Sequence, residues 1–129
     1  MSFLCPLCKQ NTLNITHQLH LPPDCRSDEI VVQIAICGRC YFSALAVYEE
    51  SRRGALDAEH FSHQGYYLPP KMLRDLKALL ESCPQPSNPR CHCEAHKTLN
   101  QRDEEGCWTY LRQLPHEGVF TLELHSTQH

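Results

Sequence analysis

The spacing of cysteines is the feature of this sequence that most constrains its fold. Nine of the 129 residues are cysteine, and four of them form two C-x2-C pairs, Cys5 with Cys8 and Cys37 with Cys40. Two residues between cysteines allow a tight turn to direct both sulfur atoms at one ion. The pairs therefore predict a four-cysteine zinc site, although four thiolates also accept iron. Gly38 is expected to supply the backbone conformation that the second turn needs.

The segments beside these cysteines predict β-structure. Apolar and polar residues alternate over residues 12–21, which is typical of a half-buried strand with His17 on its apolar side. Residues 30–36 are rich in β-branched side chains, and residues 41–48 are again apolar and aromatic. A strand is expected for 41–48, and a helix over 42–50 is the alternative. Both cysteine turns would then lie at one end of a small sheet. This arrangement resembles a zinc ribbon over residues 3–50, which implies a metal site but no particular function.

A second group of potential ligands occurs later in the chain. Three cysteines and a histidine lie close in sequence and predict a second zinc site: Cys83, Cys91, Cys93 and His96. Prolines in the gap before Cys91 limit the freedom of the unbound loop. Cys107 is the rival fourth ligand, whereas His92 should point away from its neighbours and Cys25 is expected to be a spare thiol. Two zinc ions are expected in all.

The remaining sequence completes an α+β architecture. Apolar residues recur on one face over residues 71–83, which predicts an amphipathic helix that starts at the Pro69-Pro70 pair and ends before Pro84. Residues 49–68 predict an irregular connection, residues 94–100 a short helix, and residues 107–111 with 119–124 a closing hairpin. The expected domains are a zinc ribbon at 1–54 and a unit at 55–129 that holds the helix, the second zinc module and the hairpin, packed together.

The sequence argues against catalysis. The segment His92-Cys93-Glu94 matches the H-x-E of zinc deaminases, but the P-C-x-x-C that those enzymes require downstream is missing. Two zinc ions with four protein ligands each would leave no coordination position open for a substrate. A metal-dependent or cysteine-dependent enzyme is therefore the least favoured function.

Charge favours a protein partner over nucleic acid. The formal net charge is −3, and residues 1–54 carry equal numbers of acidic and basic side chains. Thiolate-rich zinc sites would bring the net charge to about −6. Phosphate contacts dominate affinity for nucleic acid, so an acidic surface is a disadvantage. A nucleic-acid-binding zinc-ribbon protein, using Arg39, Arg52 and Arg53 with Tyr41 and Tyr48, remains the alternative.

The preferred expectation is a small interaction or adaptor module stabilised by zinc. Its candidate contact region is the aromatic stretch at residues 61–67, although those rings would also serve to cover the helix. The N-terminus has no secretory-signal pattern and no segment is long and apolar enough to span a membrane, so a cytoplasmic location is expected. In a reducing compartment, cysteines are more often metal ligands than disulfides.

Overall fold

The computed structural model describes residues 2–51, 60–115 and 117–123. Five strands form one antiparallel sheet whose spatial order follows the chain. The strands are β1 (Leu13–Leu21), β2 (Glu29–Cys37), β3 (Ser43–Ser51), β4 (His60–Tyr66) and β5 (Val119–Thr121). Two α-helices, α1 (Pro70–Glu81) and α2 (Glu94–Leu99), lie between β4 and β5 in the chain. The sheet and helices make this a small α+β fold.

Both faces of the sheet are covered by apolar side chains. The larger core lies between one face and the helices, and it contains Ile30, Val32 and Ile34 from alternate positions of β2. The smaller core on the other face contains Ala35 and Cys37. Burial on both faces explains why β2 consists of consecutive apolar and β-branched residues rather than a strict alternation.

The first strand changes face in its middle. Its pairing register with β2 shifts between Ile15 and His17, which is the signature of a β-bulge. Leu13 consequently belongs to the smaller core, whereas Leu19 and Leu21 belong to the larger one. The expected single apolar side of this strand is therefore wrong, because one extra residue in the strand reverses which positions face the helices.

Helix α1 has the predicted amphipathic character but ends earlier than expected. Pro70 occupies the first turn, where its missing N–H has no intrahelical partner, and Leu73, Leu76 and Leu80 are buried against the sheet. The helix ends at Glu81, so that Cys83 lies beyond it rather than on it. This places the cysteine in the irregular segment that carries the other ligands of its group.

The region after residue 49 differs from the expectation in two ways. The expected irregular connection contains β4, which pairs with β3 along its whole length. The strand at 119–121 pairs with β4, and the expected hairpin with residues 107–111 is not formed. Tyr110–Gln113 is instead a 3-10 helix. Gly65 allows β5 to pair with β4, because any side chain at this position would collide with the ring of Phe120 on β5.

The sheet also bears on the domain boundary predicted at residue 54. That position lies outside the described residues, and β4 and β5 from the second half continue the sheet begun by the first half. The predicted division into 1–54 and 55–129 stays a prediction.

Candidate metal centres

The four cysteines of the two C-x2-C pairs meet at one end of the sheet. Their sulfur atoms all lie within 4.8 Å of one another. Cys5 Sγ is 3.7 Å from Cys40 Sγ, and Cys8 Sγ is 3.7 Å from Cys37 Sγ. Tetrahedral bonds of about 2.3 Å to one zinc ion would separate two sulfur atoms by about 3.8 Å, whereas a disulfide bond is only about 2.05 Å long. The spacing therefore fits four ligands around one ion. We call this group cluster 1.

The two turns of cluster 1 share one backbone design. Each is closed by two hydrogen bonds: the Cys5 N–H donates to the Gln10 carbonyl at 2.8 Å, and the Lys9 N–H to the Cys5 carbonyl at 3.0 Å. The second turn has the same two hydrogen bonds. The Cys37 N–H donates to the Phe42 carbonyl at 2.7 Å, and the Tyr41 N–H donates to the Cys37 carbonyl at 3.1 Å. Pairing of Leu13 with Cys37 in the sheet brings the turns together.

Strain in these turns lies at positions that the sequence does not reveal. Lys9 (φ 63°) and Tyr41 (φ 64°), each directly after the second cysteine of its pair, adopt the left-handed conformation. Among the described glycines only Gly106 and Gly118 have positive φ, so the role expected for Gly38 is wrong. A left-handed conformation costs a residue with a Cβ roughly 1–2 kcal/mol.

Hydrogen bonds single out one thiol of cluster 1 as the readiest to ionise. Burial disfavours the Cys37 thiolate, but the Cys40 N–H, the Thr12 hydroxyl and the Arg39 N–H donate to its sulfur and lower the pKa of Cys37 to about 6. For Cys40, the Phe42 N–H favours the thiolate, but burial and the neighbouring cysteines outweigh it and raise the pKa to about 12. One thiolate thus discourages ionisation of the next until a cation compensates the charge.

The second predicted ligand set also comes together, and we call it cluster 2. Its donor atoms all lie within 4.8 Å of one another in the group Cys83, Cys91, Cys93 and His96. Cys83 Sγ is 3.9 Å from Cys91 Sγ, and His96 Nδ1 is 3.3 Å from the sulfur atoms of both Cys83 and Cys93. One zinc ion would place a nitrogen ligand about 3.6 Å from a sulfur ligand. These separations again fit four ligands around one ion.

A backbone carbonyl orients the histidine of cluster 2. The Nε2 atom of His96 lies 2.9 Å from the carbonyl oxygen of His20. Because a carbonyl can only accept, Nε2 carries the proton, and in the neutral ring Nδ1 presents its lone pair to the sulfur atoms. Metal-ligating histidines are typically held in this way by a hydrogen bond at the other ring nitrogen.

The irregular chain around cluster 2 is attached to β1 and to α2. The His20 N–H donates to the Pro86 carbonyl at 2.8 Å, and Cys93 caps α2 by accepting the His96 N–H at 3.4 Å. Burial opposes ionisation of Cys93, but the backbone N–H of His96 and the neighbouring Cys83 and Cys91 thiols stabilise its thiolate and lower its pKa. Burial, together with the neighbouring cysteines, raises the pKa of Cys83 to about 11.

Cys107 is not part of cluster 2. It forms a disulfide with Cys25, and their Cα atoms are 4.8 Å apart. Both the rival-ligand role of Cys107 and the spare-thiol role of Cys25 are therefore wrong. Sequence spacing could not reveal this pair, because 82 positions separate the two cysteines and only the folded chain brings them together.

The side chain of Asp24 connects the segment of Cys25 to the segment of Cys107. Sequence reasoning did not identify this role of Asp24. Its buried carboxylate accepts the N–H groups of Arg26 at 2.9 Å and Ser27 at 2.7 Å, and that of Trp108 at 2.8 Å. Burial opposes its charge, but these donors and the Arg26 guanidinium hold the pKa of Asp24 below its usual value. The only sequence signal was an Asp after a Pro-Pro pair, which is typical of any turn.

Comparisons with known proteins supply no further identification. No protein-family model, no curated protein and no solved structure matches the chain. No helix in the described part of the chain is long and apolar enough to cross a membrane. The fold and the two clusters define a small α+β protein with two groups of side chains that could each hold a metal ion.

Proposed function

We propose that the chain binds two structural zinc ions, one in each cluster, and acts as a small non-catalytic interaction module. The observation that carries the proposal is the completeness of both donor sets: each offers four soft or borderline donor atoms that all lie within 4.8 Å of one another. Zinc held by four protein ligands has no position left for a substrate or for a reactive water. The zinc-ribbon resemblance of residues 3–50 supports the same assignment for cluster 1.

The metal content tests this proposal directly. Elemental analysis of the purified chain is expected to give two zinc ions per molecule. The variant His96→Ala should bind one, because it removes a ligand of cluster 2. His92→Ala is the matched control: it is an exposed histidine in the same segment and should leave both ions in place. A zinc content of one would remove the second site, none would remove the proposal, and iron would reassign cluster 1.

Cobalt substitution separates a structural site from a catalytic one. Co²⁺ in a closed tetrahedral site should give an absorption spectrum that does not change when azide is added, because no coordination position is open. A spectrum that shifts with azide would mean that a ligand can leave or that a position is free. That outcome would favour a metal-dependent enzyme over a structural role.

The geometry weakens the nucleic-acid alternative. Arg52 and Arg53 lie outside the described residues, and the two aromatic residues of the suggested patch lie on opposite faces of the sheet. Tyr41 lies beside α1, whereas Tyr48 stacks on Phe61 and donates to Glu50 at 2.6 Å. A continuous track for a single strand would need these side chains on one surface.

The aromatic stretch at 61–67 offers less free surface than its composition suggests. Phe61 is 71% exposed, but Tyr66 packs against the larger core and Tyr67 lies against the rings of Phe42 and Phe120. Most of this stretch serves the fold. Phe61 is the side chain of this stretch that stays available for contact with a partner.

A further inference from the structure

We propose that a groove between α1 and the sheet binds a short segment of a partner protein in which a large apolar side chain stands next to acidic residues. The proposal rests on the interaction-module function proposed above, and it names the surface and the chemistry of the partner. The groove has a volume of about 360 Å³. We call it the α1 groove.

The floor of the α1 groove is apolar. It is formed by Ile34 and Ile36, which point to the same face of β2, together with Leu68 before α1 and Leu73 within it. Ile36 is only partly buried, so apolar surface remains available at the base of the groove. Covering such surface with an apolar side chain removes it from water and favours binding. A phosphodiester backbone would gain nothing from this floor.

The rim of the groove carries two cations. Arg74 and Lys77 line it, and their spacing of three residues puts them on the same face of α1. The acidic residues of α1 are engaged elsewhere: Asp75 pairs with Lys71 at 3.4 Å, and Glu81 pairs with His17 at 2.9 Å.

Arg74 and Lys77 themselves have no ion-pair or hydrogen-bond partner for their side chains among residues 2–51, 60–115 and 117–123. The net charge of the chain is negative, but screening limits such interactions to about 8 Å at physiological ionic strength. The two neighbouring cations therefore favour a partner segment that carries carboxylates beside an apolar side chain.

Tyr41 gives a second, independent indication of binding. Its side chain is 78% exposed and lines the groove. Its φ of 64° lies in the left-handed region, where glycine would fit without strain. Lys9 has the same φ at the equivalent position of the first turn, so this conformation belongs to the turn, and the exposed ring of Tyr41 is the feature that indicates binding. Tyrosine supplies contact area at low entropic cost and is enriched where interfaces bind most strongly.

The open rim favours a peptide over a small molecule. Small-molecule sites bury most of their ligand's surface, whereas this groove is bordered by the exposed residues Tyr41, Pro70 and Arg74 and continues onto the protein surface. An extended segment can place one apolar side chain in the groove while its neighbouring carboxylates reach Arg74 and Lys77.

Selection from phage-displayed random short peptides on the zinc-loaded chain tests the proposal without a known partner. Enriched sequences should combine a large apolar residue with neighbouring Asp or Glu. A synthetic peptide from the selection, measured by fluorescence anisotropy, should bind Arg74→Glu/Lys77→Glu at least about tenfold more weakly, because like charges would then meet. The matched control Arg90→Glu/Lys97→Glu makes the same charge change at exposed residues outside the groove and should bind normally.

Tyr41→Gly separates a binding role from a structural one. The variant should keep or gain thermal stability, because the backbone strain is relieved, yet bind the selected peptide about tenfold more weakly. Unchanged peptide binding would contradict the role given to Tyr41, whether or not the stability changes.

Several outcomes would overturn the proposal as a whole. They are no enrichment of any peptide, enrichment of basic peptides, or equal binding of the selected peptide to Arg74→Glu/Lys77→Glu. Salt-sensitive binding of a single-stranded oligonucleotide of about 12 nucleotides, in place of peptides, would do the same. Zinc content is measured on every variant, so that loss of the metal, which would count against the proposed function, is distinguished from loss of peptide binding alone.

Discussion

The two clusters have similar donors, but the chain holds them in different ways. In cluster 1, both turns are closed by their own backbone hydrogen bonds and are joined through the sheet. In cluster 2, Cys83 and Cys91 lie outside regular structure, and short α2 carries the histidine. We therefore expect the sheet to arrange the first ligand set without a metal, and the second ligand set to depend more on a bound metal.

Removal of zinc should have the largest effect and should act unequally on the two clusters. Structural zinc contributes about 10–16 kcal/mol of apparent binding free energy in small domains. After chelation, we expect hydrogen exchange to increase first and most at residues 83–99, while β1, β2 and β3 retain protection. Cys91→Ser should reproduce this local loss, and Cys8→Ser should affect mainly the turns at the end of the sheet. Equal loss of protection in both regions would contradict the contrast.

The disulfide provides the next test, because it separates Cys107 from cluster 2. The variant Cys25→Ala/Cys107→Ala should lower the free energy of unfolding by about 2–4 kcal/mol, since the cross-link that restricts the unfolded chain is lost. Both zinc ions should remain, as measured by elemental analysis beside a denaturant titration. Loss of one zinc ion would instead return Cys107 to the ligand set.

Zinc affinity should rise with pH at both clusters. The raised pKa values of Cys40, about 12, and Cys83, about 11, mean that these thiols hold their protons at neutral pH and must release them when zinc binds. Acid therefore weakens binding, by about tenfold per pH unit for each proton released. Competition with a chelator of known proton affinity, between about pH 6.5 and pH 8, measures the slope. A flat profile at either cluster would be inconsistent with these protonation states.

The smallest expected effect is confined to cluster 1. The Thr12 hydroxyl lies 3.0 Å from Cys37 Sγ and helps to stabilise its thiolate. Thr12→Val should raise the pKa of Cys37 and weaken zinc binding at cluster 1 by about 1 kcal/mol. Cluster 2 is the internal control and should be unaffected. Thiol alkylation rates in the metal-free protein report the pKa change, and an unaltered rate at Cys37 would refute this role of Thr12.

The strands and helices nearest the clusters were predictable because their signals are local. The alternation in β1, the β-branched run in β2 and the helical face of α1 each appear within a dozen residues of sequence, and all three elements are confirmed. Strand β4 was not predictable, because its polar residues are typical of a loop and its stability comes from pairing with β3 and β5. The bulge in β1 was hidden because it leaves the alternation of residue types intact.

The sequence by itself determined which residues could share an ion. C-x2-C pairs and a compact Cys/His segment restrict the donors to a few neighbouring positions, and the structure gathers the same two sets. Tertiary structure alone decided the Cys25–Cys107 bond, the orientation of His96 by the His20 carbonyl and the α1 groove beside Tyr41. Each of these joins residues far apart in the chain, and such contacts depend on sheet register and packing that no local pattern encodes.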